Sequence, residues 1–589
     1  MSSLPDDKVK INRVDTIEPA PISASVLSGD EQIIYQLETT GEEVGVTWRT
    51  VMAAASMALS YNAYVFTLLM PPAILSYINA DLGPEPTYTW ISISWNLGGA
   101  IFVTIGGRLS DIFGRRYFFL AGGCLLLVGS IVGATGQTIN QMIASGAIFG
   151  AGSGFLEMAY GAVQEIVPNQ HRMVTIGLFD AAAVIAQLMP LAAWSIIKYT
   201  HDWRNAYYVI IAFEAFTVIF LWFFYHPPKF TTKHATDGRT PMDIVKEFDW
   251  LGLAIFVAGC TLFIIGMNWG GSLHPWRSAA TIAPIVVGIS LLVGLGVYEA
   301  FGNLKEPLLP TRLFKQVRHF TMPIVVVSIV GMQYYSNATL WPRLSQLIYA
   351  KDEISKGLYA EVIPLGSIVG GIMVTGSKRL GHQRWQIVFC CALQTACVGA
   401  MSTASIDNPA KSIVLTFFIS LTTTLIMMNC FVLIGFGIVY QADIGTAAGL
   451  AGTSRLLFGA VATAIFSNVT NNKYTTTLAG AVRHNVAKLG FGEVYMAKLV
   501  SAARLNTAAA YAAVPGITPE IRAAATLANK QAYLEGAHLS YLVALAFGCV
   551  ACIAALFIPS IDDRKWTKKT VAVQESDRKG LEEKKLNHV

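Results

Sequence analysis

Gly107-Arg108-Leu109-Ser110-Asp111-Ile112-Phe113-Gly114-Arg115-Arg116 interrupts two apolar runs, 90–107 and 117–136. One acid and three arginines, framed by glycines, separate stretches that each approach the ~20 residues a membrane-crossing helix needs. The alternation continues in both directions. Apolar runs fall at 49–77, 90–107, 117–136, 141–163, 174–197, 204–226, 250–269, 280–302, 322–347, 357–376, 385–405, 411–440, 445–469 and 536–560, which is fourteen spans.

Composition points the same way. Of 589 residues 53% are apolar and 13% charged, with a mean hydropathy of +0.50, which excludes a soluble domain and predicts an all-α polytopic membrane protein. The balance of 42 basic and 37 acidic residues is too even and too dispersed for a nucleic-acid surface. Cys124, Cys260, Cys390, Cys391, Cys397, Cys430, Cys549 and Cys552 all lie in apolar segments without metal-ligand spacing. They read as small core or lipid-facing residues, and neither a metal nor a cofactor is expected.

Basic residues set the orientation. With an even span count and a cytosolic N-terminus, the inner loops hold Arg108, Arg115 and Arg116, then Arg172, Lys229, Lys233, Arg239 and Lys246, then Lys305, Arg312, Lys315 and Arg318, then Lys378, Arg379 and Arg384. The short outer loops hold little beyond Arg277, Lys351, Lys356 and Lys411. Both termini are therefore expected in the cytosol. The first 47 residues are polar and acidic, so the first span is expected to act as its own insertion signal. Residues 470–535 form one long outer loop, Ala-rich, with a break at Pro515-Gly516, and read as helical turns outside the membrane. The Asn-Val-Thr sequon at Asn468 abuts a span. The tail 561–589 is basic and solvated.

Several side chains are costly in a span unless they face protein or water. Gly146, Gly150 and Gly154 give span 4 a smooth face for close helix approach, and Glu157 lies three residues on. Asp180, with Gln187 one heptad later, is the second buried acid. Span 13 aligns Gly452, Arg455, Gly459 and Thr463, placing Arg455 about ten residues, or roughly 15 Å, from the inner end. These groups are candidates for proton coupling, and a structural pair at a helix crossing is the competing reading. Glu214 is similarly deep. Near mid-depth, Tyr61, Asn62 and Tyr64 in span 1 mirror Gln333, Tyr334, Tyr335 and Asn337 in span 9. We take Tyr61, Asn62, Tyr64, Gln333, Tyr334 and Asn337 as candidates for binding an amphipathic organic molecule, with helix-packing amides as the alternative.

The opening decapeptide resembles the signature loop of the major facilitator superfamily at Gly107, Leu109, Asp111, Gly114, Arg115 and Arg116, with Ile112 where that family usually has arginine. Gly376-Ser377-Lys378-Arg379-Leu380-Gly381-His382-Gln383-Arg384, after span 10, keeps the glycine and basic pattern without the acid. The resemblance implies a 6 + 2 + 6 arrangement. Residues 1–47 form a tail, 48–226 one half, 227–321 a linker with two inserted spans, and 322–560 the other half. It also implies that Gly107, Asp111, Gly114, Arg115 and Arg116 form a conformational-switch loop, since an acid among arginines can tie helix ends together in one state. Topology-setting charge alone is the rival reading. Tyr88-Thr89-Trp90-Ile91-Ser92-Ile93-Ser94-Trp95, together with Glu157 and Glu165-Ile166-Val167-Pro168-Asn169-Gln170-His171-Arg172, resembles the fungal trichothecene efflux pump family, near the siderophore-iron transporters. Thr453-Ser454-Arg455 and Gly459 resemble span 13 of fourteen-span relatives.

The resemblance implies a transporter and no enzyme: an amphipathic toxin, metabolite or drug is expected to leave by proton antiport across the plasma membrane, or the vacuolar membrane, through a monomer. Proton-driven uptake of a ferric siderophore is the alternative, and a non-transporting nutrient sensor the rival from another class. A primary pump is excluded, since no Gly-Lys dipeptide and hence no phosphate-binding loop occurs. Gly146 replaces the basic residue usual in span 4, and the Gly-Pro-rich motif of span 5 is reduced to Pro190 among alanines. The proton carrier is therefore sought between Glu157 and Asp180, with Arg455 as the midplane cation able to bias either.

Overall fold

The computed structural model describes residues 47–83, 85–227, 241–271, 274–302, 304, 307–437, 444–489 and 491–560, so both tails, up to 46 and from 561, lie outside it. Each predicted span falls on a helical segment. These are α1 Trp48–Leu82, α2 Trp90–Phe113, α3 Arg115–Ala134, α4 Ile139–Ile166, α5 Arg172–Thr200, α6 Arg204–Phe224, α7 Trp250–Trp269 and α8 Ala279–Phe301. They continue as α9 Met322–Ile348, α10 Glu353–Leu380, α11 Gln383–Met401, α12 Pro409–Gly437, α13 Ile444–Val486 and α14 Pro519–Ala555. Eleven of these are long and apolar enough to cross a membrane. The other three, α2, α9 and α11, bury polar side chains such as Thr104, Gln333 and Gln394 against neighbouring helices.

Local chemistry sets the ends. Thr47, Thr138, Asp249 and Thr518 cap α1, α4, α7 and α14 by accepting the N–H of the residue three positions on. The turns after α2 and α10 use Gly114 at φ +96° and Gly381 at φ +65°, a region that favours glycine. Three helices are broken within their length. Met158 divides α4, Glu361 divides α10, and α5 is broken at Ala182-Ala183 and again at Leu188.

The glycine stripe of α4 packs on α2, as its spacing predicts. A Cβ at Gly146 would stand 2.3 Å from the Ile91 carbonyl oxygen, and one at Gly150 2.4 Å from that of Trp95. Between the first six and last six helices, α5 meets α10 and α2 meets α13. The pair α7 and α8 packs together, and α7 leans on α2 and α13 through Phe256, Ile101 and Leu457.

Spans 13 and 14 differ from their expected bounds. α13 runs to Val486 and α14 begins at Pro519, so most of 470–535 extends these two helices. Alanine-rich sequence favours helix and neither extension contains an internal proline, so nothing stops the helices near the end of their apolar runs. The extensions bury Leu478, Val482 and Ala525 with Leu499 of the short helix Met496–Leu505 in a core of their own. The chain turns where predicted, with Gly516 at φ +75°. Asn468 lies inside α13, its amide donating to the Ala464 carbonyl at 2.8 Å.

Candidate functional site

A buried cavity of about 40 Å³ lies between the first and last six helices, lined by Tyr61, Tyr64, Asp180, Gln187, Tyr334 and Arg455. Ser367, Thr423, Thr424, Met427 and Met428 form its other wall. That volume holds a few waters, whereas drug-sized ligands need roughly 300 Å³ or more. Binding an organic molecule here therefore requires the two sets of helices to part.

Two acids approach this cavity in different company. Glu157 ends the first segment of α4 and pairs with the Arg455 guanidinium of α13, both side chains being buried. Gly452 leaves room for the carboxylate, and Gly331 of α9 lets Arg455 lie close. The same Nη2 donates to Tyr64 Oη at 2.8 Å, Tyr335 Oη lies 3.4 Å from that hydroxyl, and the guanidinium stands 5.9 Å from the Tyr335 ring centre. Beside the pair, Thr104 of α2 and Thr453 of α13 join in a hydrogen bond.

Asp180 sits at the end of the first segment of α5. Its Oδ1 accepts from Tyr160 Oη at 3.0 Å and Tyr61 Oη at 3.4 Å, while Oδ2 is buried without a hydrogen-bond partner. Among the described residues Asp180 has no ion pair. Gly371 of α10 faces it so closely that a Cβ there would stand 3.0 Å from Oδ2. Tyr61 stacks on Tyr64 at 5.4 Å and lies edge-on to Tyr160 at 4.7 Å. Tyr160 in turn stacks on Phe431 of α12 at 5.4 Å.

Of the six predicted binding residues, Tyr61, Tyr64 and Tyr334 line this cavity. Asn62 donates instead to the Ala58 carbonyl of its own helix at 2.8 Å. Gln333 and Asn337, one turn apart, face α14, reaching the Ala544 carbonyl at 3.4 Å and Tyr541 Oη at 3.3 Å around a separate void of about 10 Å³. Glu214 hydrogen-bonds Ser130 of α3, away from the cavity. Tyr160 and the threonine-methionine wall of α12 were missed. The run Thr422-Thr423-Thr424 was their legible signal, a cluster of hydroxyls in an otherwise apolar span.

The segment expected as a loop from Gly107 is helical to Phe113 and turns at Gly114, and within α2 Gly107 packs against Gly449 of α13. Arg115 is buried and binds Glu165 Oε1 at 2.5 Å, an acid quoted above without a partner. Arg116 donates to the Trp222 carbonyl at 2.7 Å and lies 5.4 Å from that ring centre. The side chains of Arg108 and Asp111 lie outside the described residues. Nearby, the first and last six helices are joined by Lys378 donating to the Gln170 carbonyl at 3.2 Å and by Arg172 over the Phe436 ring at 5.1 Å.

Twelve helices in two sets, an inserted pair, and a buried polar cavity where the sets meet define a major facilitator transporter. Solved structures agree on the fold. The human organic anion transporter MFSD10 aligns over 87% of this chain and 100% of its own at 12% identity and a TM-score of 0.53. The proton:xylose symporter XylE aligns over 89% of this chain and 97% of its own at 14% identity and a TM-score of 0.52. Within that fold the chain belongs to the fungal trichothecene efflux pump family, whose profile matches residues 34–588. The trichothecene efflux pump TRI12 of Fusarium sporotrichioides is 28% identical over 520 residues, covering 87% of this chain and 86% of that protein. The MFS-type transporter prx5 of Penicillium rubens is 27% identical over 557 residues, covering 91% and 96%.

Proposed function

We propose that the protein exports an amphipathic organic compound, such as a trichothecene-like toxin, in exchange for protons across the plasma membrane, as a fourteen-span monomer with both termini cytosolic. Residues 48–226 and 322–560 form the two moving halves, and 227–321 carries the inserted pair. Export is favoured over siderophore uptake by the relatives, several of which are named efflux pumps.

The observation that carries the coupling is the unequal setting of the two acids. Neutralising Glu157 would strand the Arg455 charge in the protein interior, which is strongly unfavourable. Asp180 is held by neutral hydroxyls, so proton gain or loss there strands no opposite charge. In this reading Asp180 carries the proton, and the Glu157–Arg455 pair keeps α4 and α13 in register. Tyr61, Tyr64 and Tyr334 give the substrate aromatic surface and hydroxyl donors, while Met427 and Met428 accept its apolar face. Proton and substrate compete for one side of the cavity, so that each leaves as the other arrives. The loop around Gly107, Asp111, Gly114, Arg115 and Arg116 secures the cytosolic side by charge-assisted bonds that break as the halves rock.

Purified protein in proteoliposomes tests this. With an imposed pH gradient, a fluorescent lipophilic efflux substrate or a trichothecene should accumulate against its own gradient with proton counterflow, and a protonophore should abolish that accumulation. Equilibration without proton movement would make the protein a facilitator.

A further inference from the structure

The third segment of α5 begins beside a break. Its N-cap position, Leu188, offers no side-chain cap, Pro190 has no N–H, and Ala192 N–H reaches back to the Leu188 carbonyl at 3.1 Å. That leaves the N–H of Leu191 as one of the donors every helix start strands. Its acceptor comes from another helix. Glu361 Oε1, on α10, takes the Leu191 N–H at 2.9 Å. Glu361 thus caps across the two halves, and a carboxylate suits a helix N-terminus both as acceptor and as charge.

The surroundings make this a contact between moving parts. α10 is itself broken at Glu361, so two helix discontinuities face each other. One turn earlier Gly357 packs directly on Leu191 and Trp194, where a Cβ would stand 3.0 Å from Leu191 Cδ1, and Lys356 lies 4.9 Å from the Trp194 ring centre. One turn later Pro364 lines the central cavity. The contact therefore closes the cavity at the end opposite the Lys378 and Arg172 contacts. Glu361 Oε2 is buried with no hydrogen-bond partner. The titratable groups that packed elements bring to this end are Lys198 and Tyr199 of α5, Asp352, Glu353, Lys356 and Tyr359 at the start of α10, Tyr349 just after α9 and Tyr77 of α1. Among the described residues none of these bonds to Glu361.

We propose that Glu361 is a positioning residue of the transport cycle, a clasp that holds the outer parts of α5 and α10 together while ionised and loosens when it takes a proton. The direction rests on the orientation and transport reading above. A proton from the outer aqueous phase adds to Oε2, forming one O–H bond and discharging the carboxylate. The charge-assisted bond to Leu191 becomes a neutral one of roughly half its strength. The outer end then opens more readily on the acidic side, which is where an antiporter must admit protons.

Nitroxides at Tyr199→Cys and Leu358→Cys, in a background lacking the eight native cysteines, report the separation of the two helices in lipid nanodiscs. From pH 8 to pH 5 the long-distance population should grow. Glu361→Gln should show the same distribution at both pH values, shifted toward the open form by roughly five- to tenfold. Leu191→Pro removes the donor at a first-turn position that tolerates proline, and should abolish the pH response with Glu361 intact. A pH response undiminished in either variant, or none in the unsubstituted chain, overturns the proposal. Gradient-driven transport is measured in parallel. Loss of coupling with the distance response preserved would sink the antiport reading and leave the clasp standing.

Discussion

Glu157 and Asp180 are both buried on neighbouring helices, Asp180 lining the central cavity and Glu157 standing behind Arg455, which lines it, and they differ in what holds them. Glu157 has a guanidinium for a partner and Asp180 two tyrosine hydroxyls, while each keeps one buried oxygen without a hydrogen bond. Both side chains would read alike from hydropathy, as acids misplaced in apolar helices. Their partners separate them, since a paired charge resists change and a charge among neutral dipoles can be discharged without loss elsewhere. On the proposed mechanism one acid keeps its charge and the other changes.

The largest effect tests the paired side. Arg455→Leu leaves Glu157 buried without its cation, a class of change that costs about 3–5 kcal/mol. Folded yield and melting temperature in detergent should fall steeply and transport with them. Pairing it with Glu157→Leu should recover much of the stability while transport stays lost. Normal stability in the single variant would show that the pair does not anchor α4 to α13.

The intermediate effect tests the unpaired side. Asp180→Asn keeps an acceptor for Tyr160 and Tyr61, so the protein should express and melt like the unsubstituted chain. Gradient-driven accumulation in vesicles should vanish, while exchange of labelled for unlabelled substrate without a gradient persists. Full gradient-driven transport in both Asp180→Asn and Glu157→Gln would move coupling to another group.

How far the sequence reached follows the same division between local and long-range chemistry. Helix positions were legible because apolar runs report membrane depth directly, and the stripe of Gly146, Gly150 and Gly154 disclosed a close helix contact. The lengths of α13 and α14 were not, because alanine continues a helix in water as well as in lipid. Arg455 stood out as a deep cation, yet nothing local could name Glu157 as its partner 298 positions away. Asn62 lies away from the cavity lining because its amide N–H donates to the Ala58 carbonyl of its own helix, which leaves Oδ1 buried without a partner. Gln333 and Tyr334 were grouped as neighbours, although adjacent helical positions point about 100° apart and serve different cavities.

The smallest effect sharpens the comparison most. Tyr160→Phe and Tyr61→Phe each remove one neutral hydroxyl from Asp180 while keeping the rings that stack on Phe431 and Tyr64. A neutral hydrogen bond contributes about 0.5–1.5 kcal/mol, so coupled transport should slow roughly two- to tenfold. The loss should be greater for Tyr160, whose bond is 3.0 Å, than for Tyr61 at 3.4 Å. Both variants should retain gradient-free exchange and show a displaced pH profile of accumulation, because they alter the setting of the proton carrier and leave the substrate's apolar wall intact. Tyr64→Phe is the control on the other side: it takes one hydroxyl from Arg455, which keeps Glu157, so the pH profile should hold. If Tyr64→Phe displaces that profile and the other two do not, the paired acid carries the proton and the assignment of the two sites must be exchanged.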